Sequence, residues 1–431
     1  MSEKKITVAI VGLGSRGNSY ASSCALLSDK VEIVACADID PDKLQRFSKK
    51  YNIKPEMQFN SAEELLQQDK LADVLFVCTL DQLHYPHSIP ALKKGYHLLL
   101  EKPASNDPVE CMEIARVANE YNRKVVVCHV MRYTAFLRTL KSILDSGKIG
   151  DIMCIQANEG VCFWHQAHSF VRGNWRDKNT TSPMLLQKCC HDMDMFLWLT
   201  GKHCKSITSF GTLSHFKPEC APEGATKRCN EGCPHYYTCP YSIKPCYLDW
   251  GEKGIFTWPM DVVSQEPTME SLKKNLEEGQ YGRCVYFCDN NVVDHQVVNM
   301  LFDDDLMINF NMCAFTDTSG GRNIHIMGTK GEIKTPIGGD KIEVNVFRQP
   351  AEFVPVQDVN DEFGHGGGDM GIVEDIVDLL LDEGANKESV TSIDVSIESH
   401  IMCIAAEESR ENGGKLIDIA DFTEELKKQV K

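Results

Sequence analysis

Gly12-Leu13-Gly14-Ser15-Arg16-Gly17 follows an apolar run, Ile6–Val11, and opens a helix-forming stretch from about Arg16 to Leu27. Three glycines in G-x-G-x-x-G spacing occur in many loops. The strand before and the helix after are what restrict the fold. In that setting Gly12 permits a tight turn and Gly14 lets a pyrophosphate approach backbone N–H groups. Gly17 lets the helix pack closely, and the helix N-terminus, with Ser15 and Arg16, favours the phosphate charge. Asp38 closes a second β-rich run, Val31–Ala37, 21 residues after Gly17. A carboxylate there accepts both ribose hydroxyls and repels a 2′-phosphate, so the expected cofactor is NAD rather than NADP.

The alternation continues to about residue 130. Pro41 sits in the first turn of a helix over 40–50, and Ser61 with Glu64 forms a capping-box pattern before 62–68. Further strands are expected at Val74–Cys78, His97–Leu100 and Val125–His129, with helices at His87–Lys94 and Pro108–Asn122. Strand–helix alternation implies a parallel sheet covered on both faces. From residue 131 the pattern changes to successive strands, near 151–160, 205–213, 292–302, 306–315, 323–328, 331–335 and 341–348. Helices at 135–146, 184–199, 370–382 and 397–412 interrupt them. The expected architecture is an α/β Rossmann domain over residues 1–130, then an α+β domain over 131–431 with a large, mostly antiparallel open sheet. Residues 218–254, rich in Cys, Pro and Gly, read as an irregular insertion.

A formal net charge of −17 argues against nucleic acid and against an anionic membrane surface. No apolar run approaches the roughly 20 residues that cross a bilayer, and the strand begins too early for a signal peptide. The expected location is the cytoplasm. Nineteen cysteines are many, but most stand singly among apolar residues, where a thiol acts as a small hydrophobe. Cys220, Cys229, Cys233, Cys239 and Cys246 cluster with His235 in the insertion without the paired C-x₂-C spacing of common zinc sites. Structural zinc, an iron–sulfur cluster and reduced thiols all remain open. Reduced thiols, and so no metal, are the favoured expectation.

Cys78–Pro103 reads CTLDQLHYPHSIPALKKGYHLLLEKP. It resembles the glucose–fructose oxidoreductase, inositol dehydrogenase and rhizopine-catabolism family (Gfo/Idh/MocA), whose pattern is a strand, T-P-x-x-x-H, a helix and E-K-P. The glycine loop, Arg132-Tyr133, the helix around His191 and the C-terminal AAEESRENGG follow in the family's order. The resemblance implies sugar, polyol or glycoside substrates and a homodimer or homotetramer. It places Thr79, Asp81 and His84 along the nicotinamide side of the cofactor, Glu101 at its nicotinamide ribose and Lys102 at the substrate hydroxyl. Leu80 departs from the family's proline.

Ser182–Gly201, SPMLLQKCCHDMDMFLWLTG, resembles the family's G-G-x-x-x-D-x-G-x-H-x-x-D helix. His191 takes the histidine position and Asp194 the later aspartate, while Gln187 replaces the usual first carboxylate. Gln187 cannot take a proton, so His191 is the expected base. A Lys102 ammonium would stabilise a developing alkoxide while a histidine tuned near neutrality accepts the proton. Substrate contacts are expected from Arg132, Lys188 and Asp194, and from His168, Arg172 and Trp175 in the aromatic and basic stretch 164–176. The first expectation is an NAD-dependent dehydrogenase of a secondary sugar or polyol hydroxyl. A redox glycosidase or lyase of the same fold, and a non-catalytic NAD(H)-binding sensor, are the alternatives.

Overall fold

The computed structural model describes residues 5–317, 321–357, 364–381 and 390–430. Its first sheet is built from β1 (Ile6–Val11), β2 (Val31–Ala37), β3 (Gln58–Phe59), β4 (Val74–Val77), β5 (His97–Leu100) and β6 (Val125–Val127). The strands lie in the order β3-β2-β1-β4-β5-β6 and all pair in parallel. The order reverses between β1 and β4, the crevice where this fold binds nucleotides. Helices α1 (Ser15–Leu26), α2 (Pro41–Lys50), α3 (Ala62–Gln67), α4 (His84–Lys93) and α5 (Pro108–Glu120) connect the strands. Local chemistry sets their starts. Asp40 accepts from Asp42 N and Lys43 N ahead of Pro41, and Ser61 accepts from Glu64 N at 3.2 Å. The Glu64 carboxylate reaches Asn60 N, one residue before the reciprocal position of a capping box.

Beyond α6 (Ala135–Asp145) come β7 (Ile152–Cys162), α7 (Met184–Thr200), β8 (Cys204–Thr212), α8 (Met269–Glu278), β9 (His295–Phe302) and β10 (Met307–Thr316). They are followed by β11 (Gly321–Gly328), β12 (Gly331–Pro336), β13 (Lys341–Val346), β14 (Glu352–Pro355), α9 (Gly368–Leu381), α10 (Ile393–Glu411), β15 (Ile417–Asp418) and α11 (Ile419–Lys427). The nine-stranded sheet runs β14-β13-β12-β11-β7-β10-β9-β8-β15. It is antiparallel except for β7 and β10, which pair in parallel from Cys154–Met307 onward. The β10 strand alternates exposed and buried residues. Its inner face packs Ile308, Phe310 and Met312 against Met193, Phe196 and Met402 of α7 and α10.

The chain returns to the first sheet late. Ile372, Val373, Ile376 and Val377 of α9 share a core with Ile6, Val8 and Ile10 of β1. Between β8 and β9 the insertion forms short turns, helix α8 and two small cores, one around Tyr247, Leu272 and Leu276 against which Trp164 and Trp250 pack, and one around Phe216 and Val285 that Ala167 and Val171 join. It therefore reaches well past residue 254. Ordered packing replaces the irregular character expected of it.

Candidate active site

The glycine loop lies at the β1–β4 crevice, and its backbone demands glycine at two positions. Gly12 has φ +86°, and a Cβ on it would stand 2.5 Å from the Cys78 carbonyl oxygen. A Cβ on Gly17 would stand 2.2 Å from Gly12 O. A Cβ on Gly14 would meet nothing within 4 Å, so the loop is open on the side where a phosphate would approach. No side chain caps α1, which leaves its first N–H groups, with that of Ser15 among them, directed at an anion. Asp38 holds the loop from below, accepting from Leu13 N at 2.6 Å and Asp40 N at 2.8 Å. A carboxylate has about four lone-pair sites, so capacity remains for ribose hydroxyls. These features fit a dinucleotide.

Arg16 departs from its expected role. Its guanidinium turns inward, donating to Glu101 Oε1 at 2.7 Å, to both oxygens of Asp369 at 2.7 and 2.8 Å and to Tyr20 Oη. The side chain is used up in tying α1 to β5 and α9, so only its backbone N–H is left for a phosphate. Burial pushes Glu101 up, but the Arg16 and Lys102 charges outweigh it and hold the carboxyl below its ordinary range. Asp369 is likewise raised by burial and lowered further by His365 and Arg16, ending at about 2.

After β4, Thr79 Oγ1 contacts His87 Nδ1 at 3.2 Å. His84 is buried between two carbonyls, Pro103 O at 2.7 Å and Thr79 O at 3.0 Å. It braces the loop against the Lys102–Pro103 bond, which is cis. Asp81 is buried and accepts from Ser182 Oγ at 2.8 Å and Trp175 Nε1 at 3.2 Å. With its amide turned so that the nitrogen faces Asp81, the orientation that satisfies both groups, Gln187 completes this cluster, donating to Asp81 Oδ2 at 3.0 Å and accepting from Trp175 Nε1 at 2.6 Å.

Lys102 Nζ donates to the Gln187 main-chain oxygen at 2.6 Å. This bond pins the ammonium against α7, the helix that carries His191. The His191 ring lies 5.7 Å from that of His129 and 6.5 Å from that of His365, and its buried Nδ1 has no hydrogen-bond partner. Burial first, then Lys102, His129, Arg322 and His365, press its pKa well below 6.5. Burial and these neighbours both favour the neutral imidazole, the form that can accept a proton, and run against the expectation of a group tuned near neutrality.

Other expected substrate contacts are already engaged. Arg132 forms a two-pronged pair with Asp194 at 2.6 and 2.7 Å, with 3% and 1% side-chain exposure. That pair fastens α7 to the turn after β6 and leaves neither group for a ligand. His168 is buried, hydrogen-bonded to Tyr247 Oη at 3.0 Å and stacked on Tyr281. Arg172 is fully buried and donates to Arg283 O and Tyr241 O. Both hold the insertion in place rather than facing a substrate. Lys188 stays near the site, 3.5 Å from Glu159, which also pairs with Arg322 at 2.9 Å. Arg322 in turn grips Asp192. Nothing local in the sequence marks Arg322, which lies 130 residues beyond Asp192. Every cysteine is a free thiol, and among the described residues no group of three His, Cys, Asp or Glu is placed to hold a metal.

Residues 6–129 match the profile of an oxidoreductase family with an NAD-binding Rossmann fold, and 141–416 match the same family's C-terminal alpha/beta domain. The chain belongs to the Gfo/Idh/MocA oxidoreductase family. It is 24% identical over 407 residues to a putative oxidoreductase, YteT, of Bacillus subtilis, covering 86% of this chain and 88% of that one. It is also 24% identical to inositol 2-dehydrogenase of Salmonella typhimurium, over 47% of this chain and 56% of the relative. Among solved structures, an inositol dehydrogenase homolog from Azotobacter vinelandii complexed with NAD+ superposes with a TM-score of 0.70. Its identity is 15%, over 96% of this chain and 98% of that one. The WlbA dehydrogenase from Bordetella pertussis, in complex with NADH and UDP-GlcNAcA, gives 0.67 at 17% identity, over 97% and 99%. As in the family's domain order, an NAD-binding Rossmann domain precedes the larger sheet, and the chain is an oxidoreductase.

Proposed function

We propose that this chain is an NAD-dependent dehydrogenase acting on a secondary hydroxyl of a sugar, polyol or sugar derivative. The observation that carries the proposal is the Lys102 ammonium held on the main-chain carbonyl of Gln187, one turn before His191 on the same helix. Bound nicotinamide supplies the hydride acceptor. Lys102 donates a hydrogen bond to the substrate oxygen and stabilises negative charge on it as the C–H bond breaks. His191, one turn further along α7, takes the hydroxyl proton. Asp81, Trp175, Ser182 and Gln187 lock the loop after β4 onto α7 and so fix the distance between the two domains' contributions. Thr79, Glu101 and the Asp38 carboxylate line the cofactor side, with Asp38 selecting NAD over NADP. Lys188, next to Gln187 on α7, is the candidate substrate contact, and Trp175 contributes to the wall of the site.

A redox glycosidase also needs a base for the carbon beside the new carbonyl. Asp194 is paired with Arg132 and His168 with Tyr247, so two candidates for that base are engaged elsewhere. The exposed apolar side chains Phe210, Val297 and Met307 on the outer face of the large sheet suit a homo-oligomer, and the expected compartment is the cytoplasm. The direct test is a screen of sugars, polyols and glycosides with NAD, following NADH and released product together. NADH formed from a sugar or polyol supports the proposal. Product released without NADH refutes it.

A further inference from the structure

Four of the five tryptophans stand on one wall. The fifth, Trp198, lies under Arg132. The wall begins at Trp175, whose Nε1 reaches Asp81 and Gln187 beside the reaction centre. Ring centroids then step 6.3 Å to Phe170, 6.0 Å to His165 and 4.9 Å to Trp258. Trp164 packs 5.3 Å from Trp258 and 5.2 Å from Trp250. Trp250 and Trp258 come from the insertion, and Trp258 keeps 38% of its surface exposed. The Trp164 Nε1–H is buried and has no hydrogen-bond partner.

The cluster runs back to Trp175 through Phe170, which is itself buried, while Trp258 is the ring that stays open to solvent. Burial, then the charges of Lys188, His168 and Lys102, press the His165 imidazole well below its ordinary pKa. His165 therefore sits within the field of both ammonium groups. Three centroid steps, of 6.3, 6.0 and 4.9 Å, separate Trp175 from Trp258. Apolar ring faces beside hydrogen-bonding imidazole and ammonium groups suit the flat C–H faces and hydroxyl rims of carbohydrates better than an alkyl chain.

We propose that His165, Trp164 and Trp258 form a second stacking subsite, so that the substrate is a saccharide of at least two rings. The ring beside Lys102 is oxidised and the next one rests against Trp258. The insertion thus selects the substrate, while the rest of the fold carries the chemistry. This deepens the dehydrogenase proposal and rests on it for the position of the reacting ring.

Two measurements test it: quenching of intrinsic tryptophan fluorescence by disaccharides and matched monosaccharides, and kcat/KM for NADH formation from each. Both are made on the wild type, W258A and W258F, with NAD binding as the check on folding. W258A should lower disaccharide affinity and kcat/KM by about tenfold or more, and those for the monosaccharide by clearly less. W258F should retain an intermediate part. Equal losses for both sugars in W258A, or a nucleoside diphosphate sugar quenching more strongly than any disaccharide, would overturn the subsite. Disaccharide quenching that W258A removes, with no NADH formed from any sugar, would keep the subsite and refute the dehydrogenase.

Discussion

The Asp194→Asn substitution separates a structural role for the Arg132 pair from a substrate-binding one. Asparagine keeps the shape and one acceptor but leaves the Arg132 guanidinium uncompensated at 3% exposure. Removing one partner of a buried ion pair costs about 3–5 kcal/mol. The pair is two-pronged, at 2.6 and 2.7 Å, which argues for the upper part of that range. In a chain of this size the loss corresponds to roughly 3–6 °C in Tm. Thermal melts and urea titrations of the wild type, D194N, R132M and the double variant R132M/D194L would measure it. The double variant should recover most of the loss, because no buried charge is left unpaired. Turnover should fall with stability in D194N, since the pair anchors the helix that bears His191. A D194N protein melting within about 1 °C of wild type, with a raised KM for the sugar, would refute this and make Asp194 a substrate ligand.

Lys102→Met should lower turnover by roughly 10²-fold or more while NAD affinity stays within a few fold, measured by steady-state kinetics and cofactor titration. Near-native turnover would remove Lys102 from the mechanism. Asp38→Ser should weaken NAD binding and narrow or reverse the preference over NADP. Native protein that binds NADP more tightly than NAD would contradict the role of Asp38. Stability should also fall with acid. Burial holds His129 at about 4 and His168 and His400 at about 3, below the ordinary 6.5. As pH drops through 6.5 the unfolded chain takes up protons that the folded chain refuses, so stability declines from there towards pH 4, by about 1 kcal/mol per histidine per pH unit. Urea midpoints should follow that slope, and His129→Phe should flatten it; a midpoint constant from pH 7 to 4.5 would contradict it.

The first domain was largely legible because its signals are local. The β-branched runs Ile6–Val11 and Val31–Ala37, the glycine loop and Pro41 behind Asp40 each fix their own neighbourhood. Boundaries slipped where tertiary contacts decide. Helix α4 begins at His84 rather than His87, and β6 ends at Val127, before the turn that carries Arg132. The helix expected from 397 begins at Ile393, where Ser392 caps it, and that expected from 370 begins at Gly368. Residue 382, its expected end, lies outside the described residues. Strand β14, which passed unnoticed, has only four residues, whereas helices α8 and α11, also missed, are clearly amphipathic and could have been read from their pattern. At the site, E-K-P and the His191 helix carried the expected positions of Lys102 and His191. What they could not carry is who meets whom. Arg16 and Asp369 are 353 residues apart, and no spacing rule connects them. His168 and Arg172 looked like sugar ligands because their residue types suit that role. Their burial becomes evident only once Tyr247, Tyr281 and Arg283 of the insertion are folded over them.

The proton and hydride bookkeeping can be followed in one experiment: the protein in deuterated water with NAD and a panel of sugars, polyols and glycosides, monitoring NADH, released aglycone and deuterium in recovered sugar. A dehydrogenase built on Lys102 and His191 accumulates NADH in step with oxidised substrate and releases no aglycone. Aglycone released without accumulating NADH, with deuterium on the carbon beside the oxidised one, would contradict it.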